Sequence, residues 1–133
     1  MTCSQTCCVA VVEDEFLIAA GLTMQLEELG MKVCGTAATA EEAVTLVQAN
    51  RCDLVLMDMR LAGAQDGVDA ARAIHDTGGS KVIFVTGSRE PATLERIRLG
   101  HPAGVLFKPV TDRQLRQAID AALQPDAAFE QKG

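Results

Sequence analysis

The sequence has few aromatic side chains and no long apolar run. Its 133 residues include four phenylalanines and neither tryptophan nor tyrosine, so the core must be mainly aliphatic. No apolar run approaches the roughly 20 residues that a membrane-spanning helix needs. The first ten residues also lack the basic start and the long apolar stretch of a signal peptide. We therefore expect a cytoplasmic protein that has no membrane partner.

The sequence also has no excess of positive charge. The formal net charge is −6, which argues against nucleic acid or an anionic membrane surface as a direct partner. The hydrophobic fraction of 48% is typical of a globular protein, and the chain has the length of one domain. These numbers indicate a single globular domain with a core of its own.

The five cysteines match no disulfide framework, because their number is odd and their spacing is irregular. Cys34 and Cys52 lie among apolar residues, and we interpret them as small core residues. Cys3, Cys7 and Cys8 are close together but lack the second pair of ligands of a typical zinc site. We interpret the first seven residues as a flexible tail that runs into the first strand.

Short apolar runs alternate with segments of helical periodicity. The predicted strands cover about 8–13, 31–36, 53–57, 81–86 and 104–107, and the predicted helices cover about 15–29, 40–50, 67–76, 90–99 and 111–123. Three of the strands are continuously apolar, as strands buried on both faces must be. The pattern predicts an α/β domain over 8–124, a doubly wound (βα)5 parallel sheet, followed by a frayed tail over 125–133.

Several predicted helix ends have a clear local cause. Gly30 stands where a glycine commonly ends a helix. Thr39 is the predicted N-cap of the second helix, and Glu42 three residues later suggests a capping box. Thr111 is the predicted cap of the fifth helix. The fourth helix has the weakest apolar stripe of the five.

Polar residues follow four of the predicted strands at the point where each ends. They are Glu13, Asp14, Asp58, Thr86 and Lys108. The carboxyl ends of parallel strands form one edge of a sheet, where ligands bind. Phosphoryl transfer to a carboxylate needs a nucleophilic oxygen, a divalent cation and donors for the phosphoryl oxygens. Mg²⁺ prefers oxygen ligands. This set therefore predicts a phosphoryl-transfer site with Asp58 as the nucleophile, although each residue alone could be a simple cap, loop or surface residue.

The chain resembles the receiver domain of bacterial two-component response regulators over nearly all of its length. The matching motifs are Val-Val-Glu13-Asp14-Glu, Leu-Met-Asp58, Val-Thr86-Gly and Lys108-Pro109. The resemblance implies a flavodoxin-like strand order, 2-1-3-4-5. It also implies Mg²⁺, which Mn²⁺ can replace, bound directly by Asp14 and Asp58, through water by Glu13, and by the backbone carbonyl of Arg60. Thr86 and Lys108 would then bind the phosphoryl oxygens.

Two features of the sequence distinguish this chain from many other receivers. Many receivers have an aromatic residue three positions before the lysine, and its ring moves inward when the hydroxyl residue binds the phosphoryl group. This chain has Val105 at that position, so the aromatic half of this conformational switch is missing. The segment Phe84-Val-Thr86-Gly87 resembles the "FAT GUY" subgroup, which implies a histidine kinase of the HWE type as partner. We hypothesise that the segment 87–99 has low local stability and becomes ordered on phosphorylation or partner binding.

The resemblance implies a stand-alone phosphoacceptor rather than an enzyme. Its partners would be a sensor histidine kinase and a phosphotransfer or effector protein, with the chain a monomer or a phosphorylation-dependent homodimer. About ten residues follow the fifth helix, so we expect no output domain. One alternative is an Mg²⁺-dependent phosphohydrolase with an aspartate nucleophile, but such enzymes need an acid two residues later, where this chain has Arg60. Another alternative is a degenerate receiver that signals without phosphorylation.

Two further groups of residues are predicted to lie on the surface. Five arginines crowd the region of the fourth and fifth helices, as a docking face for an effector or as a solvated surface; they are Arg89, Arg96, Arg98, Arg113 and Arg116. His75 and His101 are predicted surface residues without a catalytic role.

Overall fold

The computed structural model describes residues 8–124. The predictions of a flexible start, a frayed end and a tail position for Cys3 and Cys7 lie outside the described residues. The strands are β1 (Cys8–Val12), β2 (Lys32–Ala37), β3 (Leu54–Asp58), β4 (Lys81–Thr86) and β5 (Gly104–Phe107). The helices are α1 (Phe16–Glu28), α2 (Ala40–Asn50), α3 (Gly67–Thr77), α4 (Pro91–Arg98) and α5 (Asp112–Leu123). Across residues 8–124, no helix has the length and apolarity to cross a membrane.

The five strands form one parallel sheet in the order β2-β1-β3-β4-β5. This confirms the predicted α/β fold, its (βα)5 organisation and the strand order that the resemblance implied. The ends of every predicted helix and strand agree with the structure to within one residue. Because β1 and β3 are neighbours at the centre of the sheet, their carboxyl ends lie side by side.

The core has two halves, one on each face of the sheet. One half contains Ala10, Val12, Val55, Met57 and Phe84 and packs against α2 and α3. The other contains Val9, Val11, Leu54, Leu56 and Ile83 and packs against α1 and α5. Successive strand residues point to opposite faces, so a strand buried on both faces must be apolar throughout. Of the ten strand residues named here, Phe84 is the one aromatic residue, so this part of the core depends mainly on aliphatic side chains.

The predicted helix caps are present, with one difference in detail. The Thr39 hydroxyl accepts a hydrogen bond from the Glu42 N–H at 3.1 Å. The Glu42 carboxylate, however, accepts from the Ala38 N–H at 2.9 Å rather than from the N–H of Thr39. Thr111 forms a complete capping box at the start of α5. These caps satisfy N–H groups that the first turn of a helix cannot pair.

Candidate functional site

The three carboxylates predicted to share a site meet at the carboxyl edge of the sheet. Carboxylate oxygens of Glu13, Asp14 and Asp58 all lie within 4.8 Å of one another. Asp14, Asp58, Thr86 and Lys108 line one cavity of about 770 Å³ at this edge. Glu13 lies beneath the surface and Asp14 is exposed. The structure thus brings all five predicted side chains to one place, because each follows a strand of the same parallel sheet.

Lys108 joins the end of β5 to the two buried acids. Its Nζ atom lies 2.9 Å from Glu13 Oε1 and 3.3 Å from Asp58 Oδ1. Its backbone N–H donates to the carbonyl of Thr86 at 2.9 Å, and the Lys108–Pro109 peptide bond is cis. One cation therefore partly neutralises two carboxylates that come from two other strands.

Glu13 is held firmly beneath this site. Its side chain is 1% exposed. One carboxylate oxygen accepts from Lys108, and the other accepts from the Glu15 N–H at 3.1 Å. The N-cap of α1 is Glu15, so neither Glu13 nor Asp14 is the capping residue of that helix. The contact with Lys108 gives Glu13 a positioning function within the acidic cluster.

The acid–base properties of the site follow from burial and close charges. Burial raises the pKa of Asp58, the charge of Lys108 lowers it and the charge of Glu13 raises it again, with a net value of about 6. Burial also lowers the pKa of Lys108, but the hydrogen bond to Glu13 and the charge of Asp58 outweigh burial and raise it overall. Lys108 thus stays cationic, while Asp58 holds its proton more tightly than an ordinary carboxyl group.

The hydroxyl of Thr86 connects the site to the start of α4. Thr86 is buried at the end of β4, and its Oγ1 accepts from the Ser88 N–H at 3.1 Å. The Ser88 hydroxyl in turn donates to the hydroxyl of Thr93 at 3.2 Å. Arg60 is exposed and lines the same cavity, and a metal-binding role for its carbonyl stays a prediction.

One arginine of the predicted basic face is already engaged. Arg96 Nε lies 2.9 Å from Asp66 Oδ2, and its terminal nitrogen lies 3.1 Å from Asp69 Oδ1. Asp66 is also the N-cap of α3. Burial raises the pKa of Asp66, but the hydrogen bonds from Arg96 and from the Asp69 N–H, together with the charge of Arg96, outweigh burial and lower the pKa overall. Arg96 thus fastens α4 to α3, and the exposed arginines of this region are Arg89, Arg98, Arg113 and Arg116.

The aromatic and histidine contacts of this part of the chain were not predicted. Val105 is half-buried and packs against the core, while the ring of Phe107 lies 4.0 Å from the guanidinium carbon of Arg89. His75 and His101 are exposed, as predicted, and their rings stack with centroids 3.8 Å apart. Neither histidine lines the cavity of the acidic site. The contact between α3 and the loop after α4 joins residues too far apart in sequence for a local pattern to reveal.

A five-stranded sheet of this order, with acids, a hydroxyl and a lysine at its carboxyl edge, defines the receiver class of signalling domains. The model of the response regulator receiver domain matches residues 9–120. The chain belongs to this family and is a response regulator receiver domain of two-component signalling.

Relatives and solved structures agree with this assignment. The chain is 33% identical over 115 residues to the transcriptional regulatory protein PdtaR of Mycobacterium tuberculosis, covering 86% of this chain and 56% of that protein. It is 35% identical over 119 residues to the phyllosphere-induced regulator PhyR of Methylorubrum extorquens, covering 86% of this chain and 43% of that protein. The chain thus spans about half the length of these curated relatives.

A solved structure is similar over almost its whole length. The receiver domain of a modulated diguanylate cyclase from Desulfovibrio desulfuricans superimposes with a TM-score of 0.84 and 37% identity. The match covers 92% of this chain and 97% of that one. It supports the receiver fold found here.

Proposed function

We propose that the protein accepts a phosphoryl group on Asp58 from a phosphohistidine of a sensor histidine kinase. The carboxylate oxygen of Asp58 attacks phosphorus as the bond between phosphorus and the imidazole nitrogen breaks, and that nitrogen keeps the electron pair. An acyl phosphate on Asp58 and a free histidine result. Lys108 and Thr86 bind the phosphoryl oxygens, as a cation and as a hydroxyl donor respectively.

The donor set also fits a hard divalent cation. Three carboxylates within 4.8 Å of one another supply the oxygen ligands that Mg²⁺ prefers, and Mn²⁺ accepts the same set. We propose that Asp14, Asp58 and the backbone carbonyl of Arg60 bind the ion directly and Glu13 through water. When bound, the ion supplies positive charge that offsets the charge of the phosphoryl group. Lys108 already compensates part of the acidic charge and orients the two buried acids.

The observation that carries this proposal is the environment of Asp58. The Asp58 side chain is 10% exposed, its Oδ1 lies 3.3 Å from Lys108 Nζ, and it belongs to a cluster of three acids at a cavity. Burying a carboxylate beside two others is costly unless a cation compensates it. The arrangement therefore fits a site that binds a cation and a phosphoryl group. A phosphohydrolase is less well supported, since Arg60 stands where the second acid of such enzymes would be.

The test is intact-mass spectrometry after incubation with acetyl phosphate, with and without Mg²⁺. We expect one phosphoryl adduct on the wild type in the presence of Mg²⁺ and none on Asp58→Ala. The matched control is Asp76→Asn, which changes an exposed acid at the end of α3 and should leave the adduct unchanged. A folded wild type that gains no adduct from acetyl phosphate or from a phosphorylated kinase would count against the proposal and favour the degenerate receiver.

We propose that the kinase docks on α1 beside the site. Phe16 and Leu17 are each 81% exposed and Met24 is 61% exposed, although all three are large apolar side chains. A cavity of about 710 Å³ lies between this helix and the chain after β5, and its lining includes Met24 and Lys108. An apolar surface that adjoins the lysine of the site suits a partner that must bring its phosphohistidine to Asp58. The HWE type of kinase remains part of this proposal.

Truncating that surface should slow transfer from the kinase alone. The double variant Phe16→Ala, Leu17→Ala is expected to lower the transfer rate from a cognate phosphorylated kinase by about thirtyfold, because each ring or branched chain lost from an interface centre costs on the order of 1 kcal/mol and the two together about 2 kcal/mol. Transfer from acetyl phosphate, which has no protein surface to dock, serves as the control and should change little. An equal loss with both donors would indicate damage to the site rather than to docking.

We propose that the phosphorylated chain then binds an effector, a phosphotransfer protein or a second copy of itself through α4, β5 and α5. The exposed arginines Arg98, Arg113 and Arg116 lie in this region, interspersed with the exposed acids Glu95, Asp112 and Asp120. A partner whose charges complement this mixed pattern would therefore be favoured.

A further inference from the structure

Three cysteine thiols meet on the side of the sheet away from the acidic site. Cys52 Sγ lies 2.9 Å from Cys34 Sγ and 3.7 Å from Cys8 Sγ, and all three sulfur atoms are within 4.8 Å of one another. Cys8 begins β1 and Cys52 precedes β3, so both stand at the amino ends of strands whose carboxyl ends hold the acids. The cluster therefore has no part in the phosphoryl chemistry described above.

The strand β2 has an irregularity at the position of one of these cysteines. Val33 pairs with Val9 and Gly35 pairs with Ala10, so Cys34 is an extra residue in the strand and lies opposite no partner. Such a bulge re-aims a side chain relative to a regular strand. Cys34 lies beside the thiols of Cys8 and Cys52, so β2, β1 and the segment just before β3 each contribute one sulfur atom.

We propose that Cys8, Cys34 and Cys52 bind one thiophilic metal ion of the Zn²⁺ class. A zinc–sulfur distance of about 2.3 Å in tetrahedral geometry sets the sulfur atoms about 3.8 Å apart. The separation of Cys8 and Cys52 already has this value, and the separation of Cys34 and Cys52 has to increase by about 0.9 Å, the difference between 3.8 Å and 2.9 Å. Within residues 8–124 the group includes no fourth His, Cys, Asp or Glu ligand, so water completes the coordination.

The surroundings permit an ion to enter. Cys52 is buried, but Cys8 and Cys34 are half-buried, and Cys52 and Asp53 line a cavity of about 750 Å³ at the end of α2. The Asp53 carboxylate accepts the Cys8 N–H at 3.0 Å, which fixes the strand end that carries one ligand. Three adjacent thiols, one of which lines a cavity, form a partly preorganised ligand set because the backbone of Cys8 is already held.

The thiols of Cys8 and Cys52 hold their protons more tightly than an ordinary thiol. Burial first, and then its contact with Cys34, raises the pKa of Cys8 to about 11, and the same causes raise the pKa of Cys52 further. Neighbouring thiolates repel one another unless a cation compensates them. Metal binding would release one proton from each thiol to solvent, so affinity should increase with pH.

The test is a Co²⁺ titration of the reduced protein with Cys3→Ser and Cys7→Ser as background, in excess Mg²⁺ to occupy the acidic site. We expect one equivalent of Co²⁺ to produce the near-ultraviolet thiolate-to-cobalt charge-transfer band, and Zn²⁺ to displace it. Native mass spectrometry should then show one Zn²⁺ per chain. The melting temperature should also increase with Zn²⁺, because the ion binds the folded state.

Serine variants identify the ligands. Cys34→Ser and Cys8→Ser change half-buried residues that a serine can replace without a large cavity, and each should weaken binding at least about tenfold. Asp58→Asn is the matched control for the acidic site and should leave the band unchanged. Circular dichroism checks that every variant is folded.

Three results would each overturn the proposal. One is a folded, reduced protein that gives no charge-transfer band. Another is a band that the reduced wild type gives and the Cys3→Ser, Cys7→Ser background does not. A third is Zn²⁺ binding that survives Cys34→Ser at full affinity. Formation of a Cys34–Cys52 disulfide without any metal uptake by the reduced form would belong to the first of these results.

Discussion

Replacing Asp58 by asparagine is expected to increase the free energy of unfolding at pH 7 by about 1–3 kcal/mol. The wild-type carboxylate is buried beside Glu13, and Lys108 lies nearer to Glu13 than to Asp58. Its ionisation in the folded state is therefore unfavourable, as the raised pKa of about 6 indicates. Asparagine keeps the shape of the side chain and removes the charge.

The sign of the pH dependence follows from the direction of that shift. Between an ordinary aspartate pKa of about 4 and the folded value of about 6, the folded state holds the proton that the unfolded state has lost. The contribution of Asp58 to stability is therefore greatest below pH 4, decreases as the pH increases through this window and is constant above it. The difference between Asp58→Asn and wild type should accordingly vanish near pH 4 and be complete at pH 7.

Urea unfolding from pH 4 to pH 8, followed by circular dichroism, measures both quantities. Glu95→Gln removes an exposed acid of α4 and should change stability by less than about 0.5 kcal/mol at any pH. Excess Mg²⁺ should stabilise the wild type more than Asp58→Asn, because the variant has lost a proposed ligand. A variant that is less stable than wild type at pH 7 would show that the ion pair with Lys108 outweighs burial.

The fold could be predicted from the sequence because its signals are local. The apolar runs of β1, β3 and β4 mark strands buried on both faces, and Gly30 and Thr39 mark helix ends by their own conformation and hydrogen bonding. Gly30 does adopt the positive φ, 89°, that the helix end requires. Because β1 and β3 are parallel and adjacent, their carboxyl ends lie side by side. Glu13, Asp14 and Asp58 stand at those ends and are therefore close together.

The remaining contacts could not be predicted, because they depend on distances between residues that are remote in sequence. Nothing local indicates that Lys108 approaches Glu13 more closely than Asp58, or that Arg96 reaches Asp66 rather than solvent. The thiol cluster joins Cys8, Cys34 and Cys52, and Cys34 is an extra residue in β2 that no local pattern indicates.

Replacing Gly67 by alanine should destabilise the protein by about 3 kcal/mol and slow phosphorylation of Asp58. A Cβ atom at Gly67 would overlap the carbonyl oxygen of Asp58 and lie 3.1 Å from Met57 Cγ. The Gly67 N–H also donates to the Met59 carbonyl at 2.8 Å, so the two backbone segments cannot separate without losing that bond. The backbone of Asp58 must shift instead, and its carboxylate shifts with it.

Gly21→Ala is the matched control, since it is the same substitution at a position where a Cβ atom meets nothing within 4 Å. Gly21 lies inside α1, where alanine should stabilise the helix by about 0.5–1 kcal/mol. Urea unfolding gives the two stability changes, and the rate of adduct formation with acetyl phosphate and Mg²⁺ gives the effect on the site. Opposite signs for the two variants would locate the effect in the close contact with Asp58. A Gly67→Ala variant with wild-type stability and rate would instead mean that the loop after β3 can move aside without displacing the carboxylate.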